Sequence, residues 1–165
     1  MMRKALYTLL VVTITIGAVS LSGCKDSEDI TATATNVLVG LERTACYGRC
    51  PVYALSVAKT GEATLVVGPF CEEVFGRSME LGTHRANVDV GVWTMVADMA
   101  YDMGFDTLKT RYDDPNIMDV PANILTVNEK TVYNRFGGPK LNLLYMRIEQ
   151  LIGTVDWQAD PSSAR

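Results

Sequence analysis

The sequence predicts an α+β domain, a mainly antiparallel sheet of about five to six strands with two helices packed on one face. Three observations predict it. Short segments alternate apolar and polar residues in pairs separated by turn residues, the mark of hairpins. Two longer segments instead carry apolar stripes at helical spacing. No long crossover joins the strand-like segments, which excludes an all-parallel sheet.

Each element follows in order. Val37, Val39 and Leu41 alternate as in a half-buried strand. Tyr53, Leu55 and Val57 alternate with Val52, Ala54, Ser56 and Ala58. Lys59-Thr60-Gly61-Glu62 then turns the chain into residues 63–67, giving a hairpin. Residues 73–75 and 83–88 read as short additional strands. Asp89 is placed to cap a helix over residues 90–103, ended by Gly104. Val92, Trp93, Val96, Met99, Ala100 and Met103 share one face of that helix. Met95, Met99 and Met103 recur every four residues, and the pattern reads as core filling rather than as a soft-metal ladder. Residues 123–127 and 131–136 flank Asn128-Glu129-Lys130 as a second hairpin. Gly137-Gly138-Pro139 then opens a final helix, with Pro in its first turn, where the missing N–H costs nothing. Its stripe is Leu141, Leu144, Ile148, Leu151, Ile152 and Val155, and Trp157 closes the domain.

The first residues are of a different kind. Arg3 and Lys4 precede a 15-residue apolar run over residues 5–19. That is shorter than the roughly 20 residues a spanning helix needs, and the pattern is that of a secretory signal peptide. Leu21-Ser22-Gly23-Cys24 resembles the lipobox of bacterial lipoproteins. The resemblance implies cleavage after residue 23, a thioether-linked diacylglyceryl group on Cys24, and a further acyl chain such as palmitate on the new amine. Several chains anchor firmly, since each buried methylene contributes about 0.8 kcal/mol. Lys25 after the lipidated Cys resembles the outer-membrane sorting pattern of a Gram-negative host, facing the periplasm. The chain therefore divides into a signal peptide (1–23), a lipidated Cys and polar tether (24–35), one domain (36–158) and a frayed tail (159–165).

Loss of residues 1–23 removes two positive charges and takes the net charge from −4 to −6. Without a Lys/Arg cluster, such a domain is unsuited to nucleic acid or anionic headgroups, so the expected membrane contact is through Cys24 alone. Lipidation leaves Cys46, Cys50 and Cys71 in an oxidising compartment, where at most one internal pair can form.

The segment Arg43-Thr44-Ala45-Cys46-Tyr47-Gly48-Arg49-Cys50-Pro51-Val52-Tyr53 carries a further resemblance. Together with Gly61, Asp119-Val120-Pro121 and Trp157, it is similar to a bacterial family of uncharacterised domains. That family is marked by Arg followed by Cys-Phe/Tyr-Gly-x-Cys-Pro-x-Tyr. The resemblance implies an exported bacterial protein and brings no established activity.

Two readings of the cysteine pair stand side by side. Residues four apart in a strand lie about 13 Å apart at 3.3 Å per residue, whereas a disulfide needs roughly 4.4–6.8 Å. Pairing Cys46 with Cys50 therefore requires the chain to curl, which Gly48 allows, and Pro51 then launches the next strand. Alternatively, Cys-x-x-x-Cys-Pro resembles the site of thioredoxin-like copper chaperones, which would make Cys46, Cys50 and His84, the single histidine, a soft-metal or redox site. Against that stands an alternating strand where the chaperone site begins a helix. Arg43, Tyr47, Arg49, Tyr53 and Asp119 are the further candidates for a ligand-binding or loop site. Asp113, Asp114 and Asp119 form an acidic loop suited to a hydrolase only in the weakest reading. The expectation is a lipid-anchored, non-catalytic envelope domain that binds an unidentified protein or ligand and needs no cofactor.

Overall fold

A computed structural model describes residues 36–163. The predicted signal peptide, Cys24 and the tether lie outside the described residues. Within them runs one eight-stranded sheet: β1 (Val37–Arg43), β2 (Tyr53–Ala58), β3 (Glu62–Val67), β4 (Gly82–Asn87), β5 (Arg111–Tyr112), β6 (Asn123–Val127), β7 (Lys130–Asn134) and β8 (Gln158–Ala159). The strand order is β5-β7-β6-β1-β2-β3-β4-β8, antiparallel except for β5 beside β7. Three α-helices accompany it: α1 (Glu72–Phe75), α2 (Val90–Asp102) and α3 (Asn142–Thr154). The mixed α+β class is as expected, while the sheet has eight strands rather than five to six.

Register explains the core. Residues paired directly across an antiparallel ladder project from the same face. Val132, Leu125, Leu41, Leu55, Leu65 and His84 form one such row, and Lys130, Val127, Val39, Val57, Ala63 and Ala86 another. These rows are largely apolar and buried, and they join Trp93, Val96, Ala97 and Ala100 of α2 and Leu144, Ile148, Leu151 and Ile152 of α3 in one cluster. A register shift between Val37 and Val39 lets the consecutive residues Leu38 and Val39 both be buried. The third row, at the β1 exit, is different: Asn134, Asn123, Arg43, Tyr53, Val67 and Gly82. The opposite face carries small and polar residues such as Gly40, Ala54, Ser56, Thr64 and Thr126.

Several local expectations are corrected. Residues 72–75 form a helical turn, α1, rather than a strand. Phe75 is its one buried residue, and α3 approaches so closely that a Cβ on Gly153 would lie 2.2 Å from the Phe75 carbonyl oxygen. α3 begins at Asn142, three residues past Pro139, because the Asn134 side chain donates to the Pro139 carbonyl at 3.0 Å and holds that segment against β7. α2 is capped as expected, with Asp89 Oδ1 accepting from the Gly91 N–H at 2.8 Å, but it ends at Asp102. Met99 packs against the core, while Met95 and Met103 are exposed, so the methionine spacing is core filling at one position only. In place of a frayed tail from residue 159, β8 pairs with β4 and Asp160 binds Arg85 at 2.7 Å.

Candidate functional site

The polar row at the β1 exit is closed from α3. Glu149 lies on the helix face that also carries Leu144, Tyr145, Ile148 and Ile152, and is only 6% exposed. Its Oε1 accepts from Arg43 Nη1 and from the Tyr53 hydroxyl, both at 2.8 Å. An ion pair with a second donor is how a buried carboxylate is tolerated. Tyr53 is held from the side by Phe75, edge-on at 5.0 Å between ring centroids. Burial, and after it the Glu149 carboxylate, push the Tyr53 hydroxyl far above its ordinary range, so it stays a donor. Beside this group, Asn134 Nδ2 of β7 reaches the Tyr145 hydroxyl of α3 at 3.2 Å. Arg43 Nε and Asn123 Oδ1, on register-paired residues, are buried without a hydrogen-bond partner among the described residues.

Above this network, residues 44–52 connect β1 to β2. Cys46 and Cys50 form a disulfide with Cα atoms 5.8 Å apart, the curl that the spacing required. The loop is pinned to the chain before β6: the Thr44 N–H donates to the Ala122 carbonyl at 3.0 Å, and the Ala122 N–H to Thr44 Oγ1 at 2.8 Å. Tyr47 at the tip is 90% exposed. Asp119, with φ of 63°, stands opposite in the left-handed region that Asp tolerates better than most residues. Thr44, Ala45, Cys46, Tyr47, Asp119 and Val120, with Tyr133 and Arg135, line a cavity of about 350 Å³.

The five candidate residues thus fall into three places. Arg43 and Tyr53 are inside, on Glu149. Tyr47 and Asp119 share the 350 Å³ cavity. Arg49 lies over the Phe70 ring at 4.9 Å and lines a separate cavity of about 740 Å³, beside Cys71, Glu72, Glu73 and Met79. Of the acidic loop, Asp113 alone is paired with arginines, Arg111 at 2.6 Å and Arg135 at 2.5 Å, while the Asp114 carboxylate accepts from Asn116 at 2.9 Å. Burial works against the Asp113 carboxylate, yet the two guanidiniums hold it below the usual range.

The copper-site ligand set is not assembled. His84 sits on β4, two strands across the sheet from β2, whereas Cys46 and Cys50 lie in the loop that precedes β2. It is buried, with Nε2 2.8 Å from the Glu80 carbonyl oxygen. Among the described residues no three His, Cys, Asp or Glu side chains are grouped to hold a metal. Cys71 forms no disulfide; its Sγ donates to the Val52 carbonyl at 3.1 Å, and burial raises its thiol.

Sequence reasoning missed Glu149. The signal was available: a lone acid four residues after Tyr145, flanked by Ile148 and Ile152 on an otherwise apolar stripe, is a charge assigned to the core.

No curated protein matches this chain, and no solved structure does. A family model for a domain of unknown function, DUF6438, matches residues 37–152, from the first residue of β1 to within two residues of the end of α3. The match takes in the disulfide loop, the Asp119 segment and Glu149, and the chain belongs to the DUF6438 family.

Proposed function

We propose that this is a lipid-anchored protein of the cell envelope whose domain binds a partner rather than transforms one, with the Cys46–Cys50 loop as the binding element. The anchor rests on the signal-like residues 1–23 and the lipobox ending at Cys24. In this reading residues 24–35 are the tether that holds the domain off the bilayer.

The observation behind the binding role is the presentation of Tyr47. An aromatic ring 90% exposed is held on a loop that is cross-linked at its base and hydrogen-bonded to a neighbouring segment. Tyrosine anchors dominate many interfaces, and a loop already ordered loses little entropy on association. The charged groups beneath neutralise one another and act as a rigid floor.

Two measurements on the full-length chain test this. Intact mass of membrane-extracted protein is expected to show cleavage before Cys24 and added acyl mass; a cleaved, unmodified Cys24 refutes the anchor. A photo-crosslinking residue at position 47 is expected to capture a discrete envelope component that the same residue at the exposed position 143 does not. Identical capture from both positions refutes the loop's role.

A further inference from the structure

We propose that the cavity between Tyr47 and Asp119 receives a cationic side chain, a guanidinium or primary ammonium, from a partner polypeptide; this rests on the reading of the loop as a binding element. The protein holds one such group already. The Arg111 guanidinium lies 4.0 Å from the centroid of the Tyr133 ring while its Nη2 donates to Asp113 at 2.6 Å. A cation between a tyrosine face and an aspartate is stabilised by the ring quadrupole and by a charged hydrogen bond. Tyr47 and Asp119 offer the same two groups across the cavity, but open to solvent.

Charge accounting agrees. Asp113 is shared by Arg111 and Arg135, and Arg135 Nη2 also donates to the Asp114 carbonyl at 3.0 Å. Asp119 has no ion pair and no hydrogen bond among the described residues, and with Asp113 and Asp114 it makes three carboxylates against the two guanidiniums of Arg111 and Arg135, so the surplus charge at this rim is negative. The chain as a whole carries −4, which favours the approach of a cation. Ala45 and Val120 supply apolar wall for an aliphatic stem. A volume of about 350 Å³ is at the small end for ligand sites, room for one long side chain.

A primary ammonium or guanidinium fits better than a quaternary ammonium. The latter donates no hydrogen bond and relies on a cage of ring faces, whereas Tyr133 already has one face covered by Arg111.

The test is a titration of the isotope-labelled full-length chain in detergent with an acetylated, amidated Gly-Arg-Gly peptide, followed by the amide signals of Tyr47 and Asp119. Controls are the same peptide with neutral citrulline, and tetramethylammonium. Saturable binding of the arginine peptide alone is expected. Each contact is weak at an exposed site, so Asp119→Asn and Tyr47→Ala each lower affinity about threefold and the double variant about tenfold. Asn adopts the left-handed conformation readily, so Asp119→Asn keeps the fold. Equal binding of the citrulline peptide, or an unchanged affinity in Asp119→Asn, overturns the cation site. Tetramethylammonium binding as tightly as the arginine peptide overturns the side-chain assignment. Because peptide binding is read directly, its failure is separate from the crosslinking result that tests the loop.

Discussion

Glu149→Ala is the sharpest perturbation of the buried network. The wild-type carboxylate, 8% exposed, serves two donors; its removal leaves a guanidinium that is 22% exposed and a phenol on a residue that is 2% exposed. Breaking a buried pair by deleting one partner costs about 3–5 kcal/mol, and the partial exposure of Arg43 sets the value near the lower end, about 3. The stranded Tyr53 hydroxyl adds about 1 kcal/mol, the low end for an unmet buried donor. A loss of about 4 kcal/mol is a large part of the roughly 5–15 kcal/mol that holds a domain together. With a urea slope of about 2 kcal/mol/M, the unfolding midpoint falls by about 2 M at unchanged slope. The companion variant decides the mechanism. Arg43→Met combined with Glu149→Leu replaces the pair by apolar groups and is expected to lose far less than the two single changes together. If Glu149→Ala costs below about 1 kcal/mol, or if the paired replacement costs the full sum of the singles, the coupling argued from these contacts is wrong.

Three further outcomes follow from the same geometry. Replacing Cys46 and Cys50 by Ser is expected to cost about 2 kcal/mol, the short-loop end of the chain-entropy estimate, with faster hydrogen exchange confined to residues 44–52; unchanged exchange there argues against the clamp. Cys71 is expected to resist alkylation at neutral pH in the native protein and to react stoichiometrically in denaturant, because it is buried and its thiol is raised; rapid native labelling contradicts this. The Arg85 side chain and Ser162 hold Asp160 at about 2, so its stabilising contribution is complete above the unfolded value of about 3.9 and lost as pH falls through about 2; unfolding curves across that window are expected to flatten in Asp160→Asn.

Much of the fold is legible because periodicity reports burial. The β2–β3 and β6–β7 hairpins, the Asp89 cap and the α3 stripe all lie where alternation and helical spacing place them. The misses have physical causes. β5 and β8 are two residues each, too short for any period, and are held by contacts from distant segments such as Arg135 to Asp113 and Arg85 to Asp160. α1 is a single turn, and its Glu-Glu-Val-Phe sequence suits a strand end equally well. In the site, the disulfide could be argued from local reach. The sorting of Arg43 and Tyr53 inward and of Tyr47 and Asp119 outward could not, since it depends on strand register and on which helix lies above.

The Arg43–Glu149 pair also bears on how the molecule is made. The Tyr53 and Arg43 bonds to Glu149 span 96 and 106 residues. A chain emerging N-terminus first can zip β1 to β2 and β2 to β3 early, because those contacts are local. At that stage the guanidinium at the β1 end lacks its counter-charge and stays in water, so the core there cannot close at low cost until residue 149 has emerged and docked. Long-range closure of this kind is slow and leaves partly folded chains sticky. Fragments that stop short of α3 therefore lack more than a helix: they retain a positive charge on the side of the sheet meant to become core. The ion pair ties completion of the fold to completion of the chain, and a prematurely ended product is a natural target for proteolysis.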